Sequence, residues 1–118
     1  MLIYISGFHE AIEDDRLIRQ EFNLVQKRCI QSGNEVINPA CDGYRKSLKE
    51  AYVEINCEDS LIVHKAVKTC KGLNIIIGLT SILMADKVLF LQNYYISAQG
   101  TIEFDFCKYI GKEYQILT

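Results

Sequence analysis

Short apolar runs recur along this chain and are separated by segments with a different period. Four of these runs are typical of strands, because each is brief, rich in apolar residues and closed by a turn-forming residue or a polar segment. They span Leu2 to Ser6, Glu35 to Asn38, Lys87 to Leu91, and Tyr114 to Leu117. The only proline, Pro39, ends the second run.

The segments between the runs show helical spacing. Ile18, Phe22, Val25 and Cys29 predict a helix from about Glu10 to Ser32, and a second helix is predicted from Ala98 to Ile110. Gly33 and Gly111 follow these helices, where a left-handed C-cap is expected.

The middle of the chain is less regular. Leu48, Tyr52, Ile55, Ile62 and Ala66 predict one long or two shorter helices, with a break at Lys71 and Gly72. Apolar residues are nearly continuous from Asn74 to Ala85, a pattern compatible with a helix or a strand, and we favour a helix.

Strands that alternate with helices predict an α/β fold. We expect a single domain over residues 1–118, a three-layer sandwich whose parallel, Rossmann- or flavodoxin-like sheet has four to five strands. Right-handed crossovers would place helices on both faces of that sheet.

Composition excludes several classes of function. With 118 residues and 49% apolar content the chain can build one core, and its small size makes a homodimer plausible. A net charge of −2 with scattered cations argues against a nucleic-acid polymer as partner. The nearly apolar stretch from Leu73 to Ala85 is too short for a membrane span, and no leader pattern follows Met1, so we expect a cytoplasmic protein.

Cysteine and histidine positions predict no metal centre. The five cysteines are odd in number and widely spaced, which disfavours a disulfide framework or a zinc site. Cys29 and Cys107 lie on apolar helix faces and are expected to be core residues. His9 and His64 have no second ligand at metal spacing. His9 follows Gly7 at a strand end, where it either touches a ligand or lies in a solvated loop, and we favour the solvated loop.

The segment from Ser97 to Glu103 concentrates polar chemistry at the carboxyl end of a predicted strand. In α/β sheets this edge binds ligands, because helix N-termini point into it. Glu103 near such a terminus should stay ionised and suits a nucleophile. Two structural alternatives remain open: Ser97 acts only as an N-cap, or the helix begins at Gly100 and Glu103 caps it from the third position.

Three short motifs carry a resemblance to a known family. Ile3-Tyr4-Ile5-Ser6-Gly7, Val36-Ile37-Asn38-Pro39-Ala40 and the block from Ala85-Asp86 to Glu103 resemble the nucleoside 2-deoxyribosyltransferases and the related 2′-deoxynucleoside 5′-monophosphate N-glycosidases. The resemblance covers both ends of the chain and leaves residues 41 to 75 unmatched.

The resemblance implies a role for individual residues. Glu103 would attack the anomeric carbon of a deoxyribosyl group, Tyr4 would lie beside the sugar, and Ser97 would bind a 5′-phosphate or 5′-hydroxyl. Ser6, Gly7, Gly100 and Asp86 complete the expected substrate-binding set. Tyr4 as a strand aromatic and Asp86 as a loop residue are the structural alternatives.

Two departures from the family pattern affect the expected chemistry. Gln99 stands where the family often has glycine, and Gly78 stands where it usually has an aspartate that can serve as general acid. Asp86, Asp59 and Asp42 are the candidate substitutes.

The sequence leaves two functions open, and neither of them needs a cofactor. The first is an enzyme that cleaves or transfers the deoxyribosyl group of a nucleoside or nucleotide, acting as a homodimer. The second is a catalytically inactive protein of the same fold that binds a nucleotide-like ligand or a protein partner.

Overall fold

Four parallel strands form the centre of the molecule. The computed structural model describes residues 1–41 and 70–118. Its strands are β1 (Leu2–Ser6), β2 (Glu35–Ile37), β3 (Lys87–Phe90) and β4 (Tyr114–Ile116), in the sheet order β2-β1-β3-β4. Every neighbouring pair is parallel, which confirms the predicted α/β parallel sheet.

Three α-helices accompany the sheet in the described part of the chain: α1 (Arg16–Gln31), α2 (Cys70–Met84) and α3 (Ala98–Ile110). The predicted range of α3 is confirmed. Residues 74–84 are helical, as favoured, but α2 already begins at Cys70, so the predicted break at Lys71 and Gly72 is wrong. The helices predicted from Leu48 to Ala66 lie outside the described residues.

Helix α1 begins later than its periodicity predicted. Asp15 is its N-cap, and its carboxylate accepts hydrogen bonds from the backbone N–H groups of Leu17 and Ile18. Residues His9–Ala11 form a separate 3₁₀ turn instead. This turn positions His9 and Glu10 after β1, at the end of the sheet where the candidate site lies.

Both predicted glycine C-caps are confirmed. Gly33 (φ 86°) follows α1, and Gly111 (φ 71°) ends α3 in the left-handed region that a side chain would strain.

Side chains of β1 divide the core into two clusters. Ile3 and Ile5 pack in one cluster with Phe22 and Val25 of α1. Tyr4 packs in the other cluster, which contains Ile82 of α2, Phe90 of β3 and Cys107 of α3. Successive strand residues point to opposite faces of a sheet, so the two clusters follow from the apolar runs.

Cys29 and Cys107 are both buried, as their helical faces predicted. Burial, together with the nearby charge of Glu103, raises the pKa of the Cys107 thiol to about 11. None of the helices in residues 1–41 and 70–118 is long and apolar enough to cross a membrane.

The chain order around β1 marks where a ligand would bind. The connections from β1 to β2 and from β2 onward to β3 place β2 and β3 on opposite sides of β1. In such sheets the crevice lies outside the carboxyl ends of the strands, at the point where the strand order reverses. Ser6 and Phe90 are register partners at that end of β1 and β3.

Candidate functional site

Glu103 of α3 is completely buried at the carboxyl end of β1. Its Oε1 accepts hydrogen bonds from Ser6 Oγ at 2.8 Å and lies 3.0 Å from His9 Nε2. Its Oε2 accepts a hydrogen bond from Gln99 Nε2 at 2.8 Å. Three donors thus surround a group that accepts only, which is the arrangement a buried carboxylate requires.

His9 is enclosed rather than solvated, so the expectation of a solvated loop histidine is wrong. The residue is 8% exposed. Its ring stacks on Tyr4 with centroids 6.5 Å apart and meets Phe22 at 6.0 Å. The aromatic surroundings come from β1 and α1, which the local sequence around His9 does not reveal.

Ser6, His9 and Glu103 do not form a nucleophilic serine triad. Ser6 Oγ lies 2.9 Å from His9 Nε2, the same nitrogen that contacts the carboxylate. A triad needs the serine and the carboxylate on opposite ring nitrogens, so that the ring can take a proton from the hydroxyl. Here the serine hydroxyl donates directly to Glu103, which makes it a support for the carboxylate.

A small cleft, partly open to solvent, lies next to Glu103. Its described lining residues are Tyr4, His9, Ile37, Pro39, Asn74, Ile77, Gly78, Ser81 and Gln99. Glu103 is separated from this space by the side chain of Gln99, whose amide also donates to the backbone carbonyl of Asn74 at 3.1 Å. The carboxylate is therefore one side chain away from the cleft.

Gly78 leaves the space that the carboxylate occupies. A Cβ at this position would overlap Glu103 Oε2 and lie 3.0 Å from its Cδ and 3.1 Å from Gln99 Nε2. No acidic side chain can replace Gly78 without displacing Glu103. The position where the resemblance implies an aspartate thus does face the carboxylate, but it carries no proton donor.

Ser97 is the N-cap of α3, which was one of the two structural alternatives for this segment. Its Oγ accepts the backbone N–H of Gly100 at 2.8 Å and donates to Glu10 Oε2 at 2.5 Å. The helix begins at Ala98, so the alternative in which Glu103 caps a helix starting at Gly100 is wrong.

Glu10 completes the cap from outside the helix. Its Oε1 accepts the backbone N–H of Gln99 at 2.8 Å, beside the bond from Ser97. Burial, the largest single effect, raises the pKa of Glu10. The hydrogen bonds from Ser97 and from the backbone of Gln99 and Glu10, together with the charge of His9, outweigh burial and leave the pKa below its usual value. The first turn of α3 is therefore bound to an internal carboxylate.

Gly7 and Gly100 allow the start of α3 to approach the end of β1. A Cβ on Gly100 would lie 2.7 Å from the Gly7 carbonyl oxygen and 2.6 Å from that of Tyr94. A Cβ on Gly7 would lie 3.0 Å from side-chain atoms of Leu91 and Phe22. Close packing accounts for both glycines without any ligand.

The structure brings together six of the seven predicted site residues: Tyr4, Ser6, Gly7, Ser97, Gly100 and Glu103. Asp86 lies at the opposite edge of the sheet, where its Oδ2 accepts the backbone N–H of Leu2 at 2.7 Å. This placement removes Asp86 from the site and agrees with its interpretation as the residue that opens β3. Asp42 and Asp59, the other candidate acids, lie outside the described residues.

Sequence reasoning missed the positions of His9 and Glu10 and the contact that Gln99 makes with Glu103. The spacing of Gln99 and Glu103, one helical turn apart, is the one signal that was available. Among residues 1–41 and 70–118, no cluster of three histidine, cysteine or acidic side chains could hold a metal ion.

Comparison of the chain with protein-family models, curated proteins and solved structures gave no match. The function of this chain must therefore be inferred from the geometry of its site.

Proposed function

We propose that this protein cleaves or transfers the deoxyribosyl group of a 2′-deoxynucleoside or its 5′-monophosphate, with Glu103 as the nucleophile. The observation that carries the proposal is the fully buried carboxylate beside the cleft at the carboxyl edge of the sheet. Burying a carboxylate costs stability even when it is hydrogen bonded, and such groups concentrate at functional sites.

The two oxygens of Glu103 have different surroundings, and these favour Oε2 as the attacking atom. Oε1 is held by Ser6 and His9, which orient the carboxylate. Oε2 accepts from Gln99 and faces Gly78, and both of these residues line the cleft. Rotation of the Gln99 side chain would uncover Oε2 for a sugar bound in the cleft.

The proposed step follows from the charge of this carboxylate. A bond forms between Oε2 and C1′ while the C1′–N bond breaks, and its electron pair leaves with the base, which takes up a proton. A negative oxygen beneath C1′ stabilises the positive charge that develops on the sugar. Water or a second base then attacks C1′ and releases Glu103.

The proton for the leaving base comes, in this proposal, from a side chain that reaches the cleft. Tyr4 and His9 are the titratable side chains among its described lining residues. Tyr4 also lies against the His9 ring, where the resemblance implies the sugar. The proposed assembly is a cytoplasmic homodimer that needs no cofactor.

The alternative is a binding protein without catalysis, and Gln99 is the residue that favours it. Its amide closes the path to Oε2 and is itself held by the Asn74 carbonyl. If this side chain does not move, the cleft can bind a nucleoside-like ligand but the carboxylate cannot reach it.

Release of free base from deoxynucleosides and deoxynucleoside 5′-monophosphates, followed by chromatography, tests the proposal. Glu103→Gln keeps the size but removes the charge and replaces one accepting oxygen by an NH2 group, so release should fall roughly a hundredfold or more. Glu113→Gln removes an exposed carboxylate elsewhere and should leave release unchanged. Absence of base release by the wild-type protein, with thermal stabilisation by a deoxynucleoside, would establish the binding protein instead.

A further inference from the structure

The first turn of α3 has donors that are already paired within the protein. Ser97 Oγ and the backbone N–H of Gln99 both donate to the carboxylate of Glu10. The N–H of Gly100 donates to Ser97 Oγ. In an α/β fold such donors commonly receive a phosphate, and here a carboxylate from the turn after β1 occupies them.

Hydrogen bonds from the first turn of α3 stabilise the negative charge of Glu10. Among the described residues, no lysine or arginine forms an ion pair with Glu10. The hydroxyl of Ser97 and the N–H of Gln99 lower the pKa of Glu10, and the charge of the neighbouring His9 lowers it further. A second anion brought to this turn would meet the negative charge of Glu10.

In the described part of the chain, the cleft has no lysine or arginine side chain to pair with a phosphate. The polar side chains of its described lining residues are hydroxyl, amide and imidazole groups. This observation is independent of the helix N-terminus, and it favours an uncharged ligand.

Gln99 links Glu10 to the proposed nucleophile. Its backbone N–H binds Glu10, while its side-chain amide covers Glu103 Oε2. The other substituents of a sugar attached at Oε2 would therefore be within reach of Gln99. A 5′-phosphate on that sugar, directed toward the start of α3, would have to displace Glu10.

We propose that Glu10 is a specificity-determining residue that selects unphosphorylated 2′-deoxynucleosides and excludes their 5′-monophosphates. This inference rests on the proposed function of Glu103. Glu10 acts by occupying the donors of Ser97 and Gln99 and by repelling a second anion.

The test compares kcat/KM for a deoxynucleoside and its 5′-monophosphate in the wild-type protein and in Glu10→Gln. The wild-type protein should favour the nucleoside, and the variant should lower this preference on the order of tenfold or more. Glu13→Gln removes an exposed carboxylate from the adjoining turn and is the matched control, because the preference should not change. Equal or better use of the monophosphate by the wild-type protein would overturn the inference.

A calorimetric titration with inorganic phosphate separates this inference from the proposed function. The wild-type protein should show no binding, and Glu10→Gln should show binding at millimolar phosphate or below. These titrations are informative even if no substrate releases base. Absence of base release would reject the proposed catalysis by Glu103 but would leave the role of Glu10 to be decided by phosphate binding. Tight phosphate binding by the wild-type protein would contradict the role of Glu10 whether or not the protein is an enzyme.

Discussion

Ser6 Oγ donates to Glu103 Oε1 across 2.8 Å, although 97 positions separate the two residues in the chain. The bond joins the end of β1 to the second turn of α3, and both residues are completely buried. The same contact therefore supports the fold and orients the candidate nucleophile, so changes at this site should alter stability as well as activity.

Ser6→Ala should lower the free energy of unfolding by about 1–3 kcal/mol, because a buried carboxylate loses one of its donors. Urea denaturation measures the loss. Ser32→Ala removes an exposed hydroxyl and should stay within about 0.5 kcal/mol of the wild-type protein. Equal destabilisation by the two substitutions would show that the bond to Glu103 contributes nothing.

Gly78→Ala should destabilise the protein, although helix propensity alone would stabilise it by about 1 kcal/mol. The new methyl group would overlap Glu103 Oε2 and should cost about 1–3 kcal/mol. Adding Glu103→Ala removes the obstructing carboxylate. In a double-mutant cycle measured in urea, the double variant should therefore lose less free energy of unfolding than the sum of the losses in the two single variants. Stabilisation by the single substitution would contradict the close contact.

Glu10 should make the stability depend on pH in the acid range. Its pKa in the folded protein is lowered from the ordinary value of 4.5, so the stabilisation is fully present above that value and is lost as pH falls through the folded-state pKa. Thermal unfolding of the wild-type protein and Glu10→Gln should therefore converge below pH 4.5. Glu13→Gln is the control. A difference between wild type and Glu10→Gln that stays constant throughout the acid range would exclude this contribution.

The protein should form a homodimer at micromolar concentration, measured by light scattering. Leu83 and Met84 at the end of α2 are 60% and 55% exposed, an apolar surface that a second subunit could cover. Substituting both by arginine should favour the monomer, whereas Leu24→Arg, at a similarly exposed position on α1, should not. A wild-type monomer over the whole concentration range would reject the dimer and any active site shared between subunits.

Local patterns were informative wherever a feature depends on neighbours in the chain. The bounds of α3, the C-caps at Gly33 and Gly111 and the burial of Cys107 were all predicted from helical spacing and from the conformation that glycine permits. The start of α1 was misplaced at about Glu10, although the apolar period begins at Ile18 and Asp15 carried a readable N-cap signal.

By itself, the sequence determined the alternation of strands and helices, and with it the parallel sheet and the edge at which Glu103 lies. Only the tertiary structure decided what surrounds that carboxylate: Ser6 and His9 on one oxygen, Gln99 on the other, and the space left by Gly78. The spacing of apolar residues shows which face of an element is apolar, and this spacing repeats along the whole element. A polar contact between distant elements depends on single residues and on the packing that brings them together, so it leaves no repeating signal in the chain.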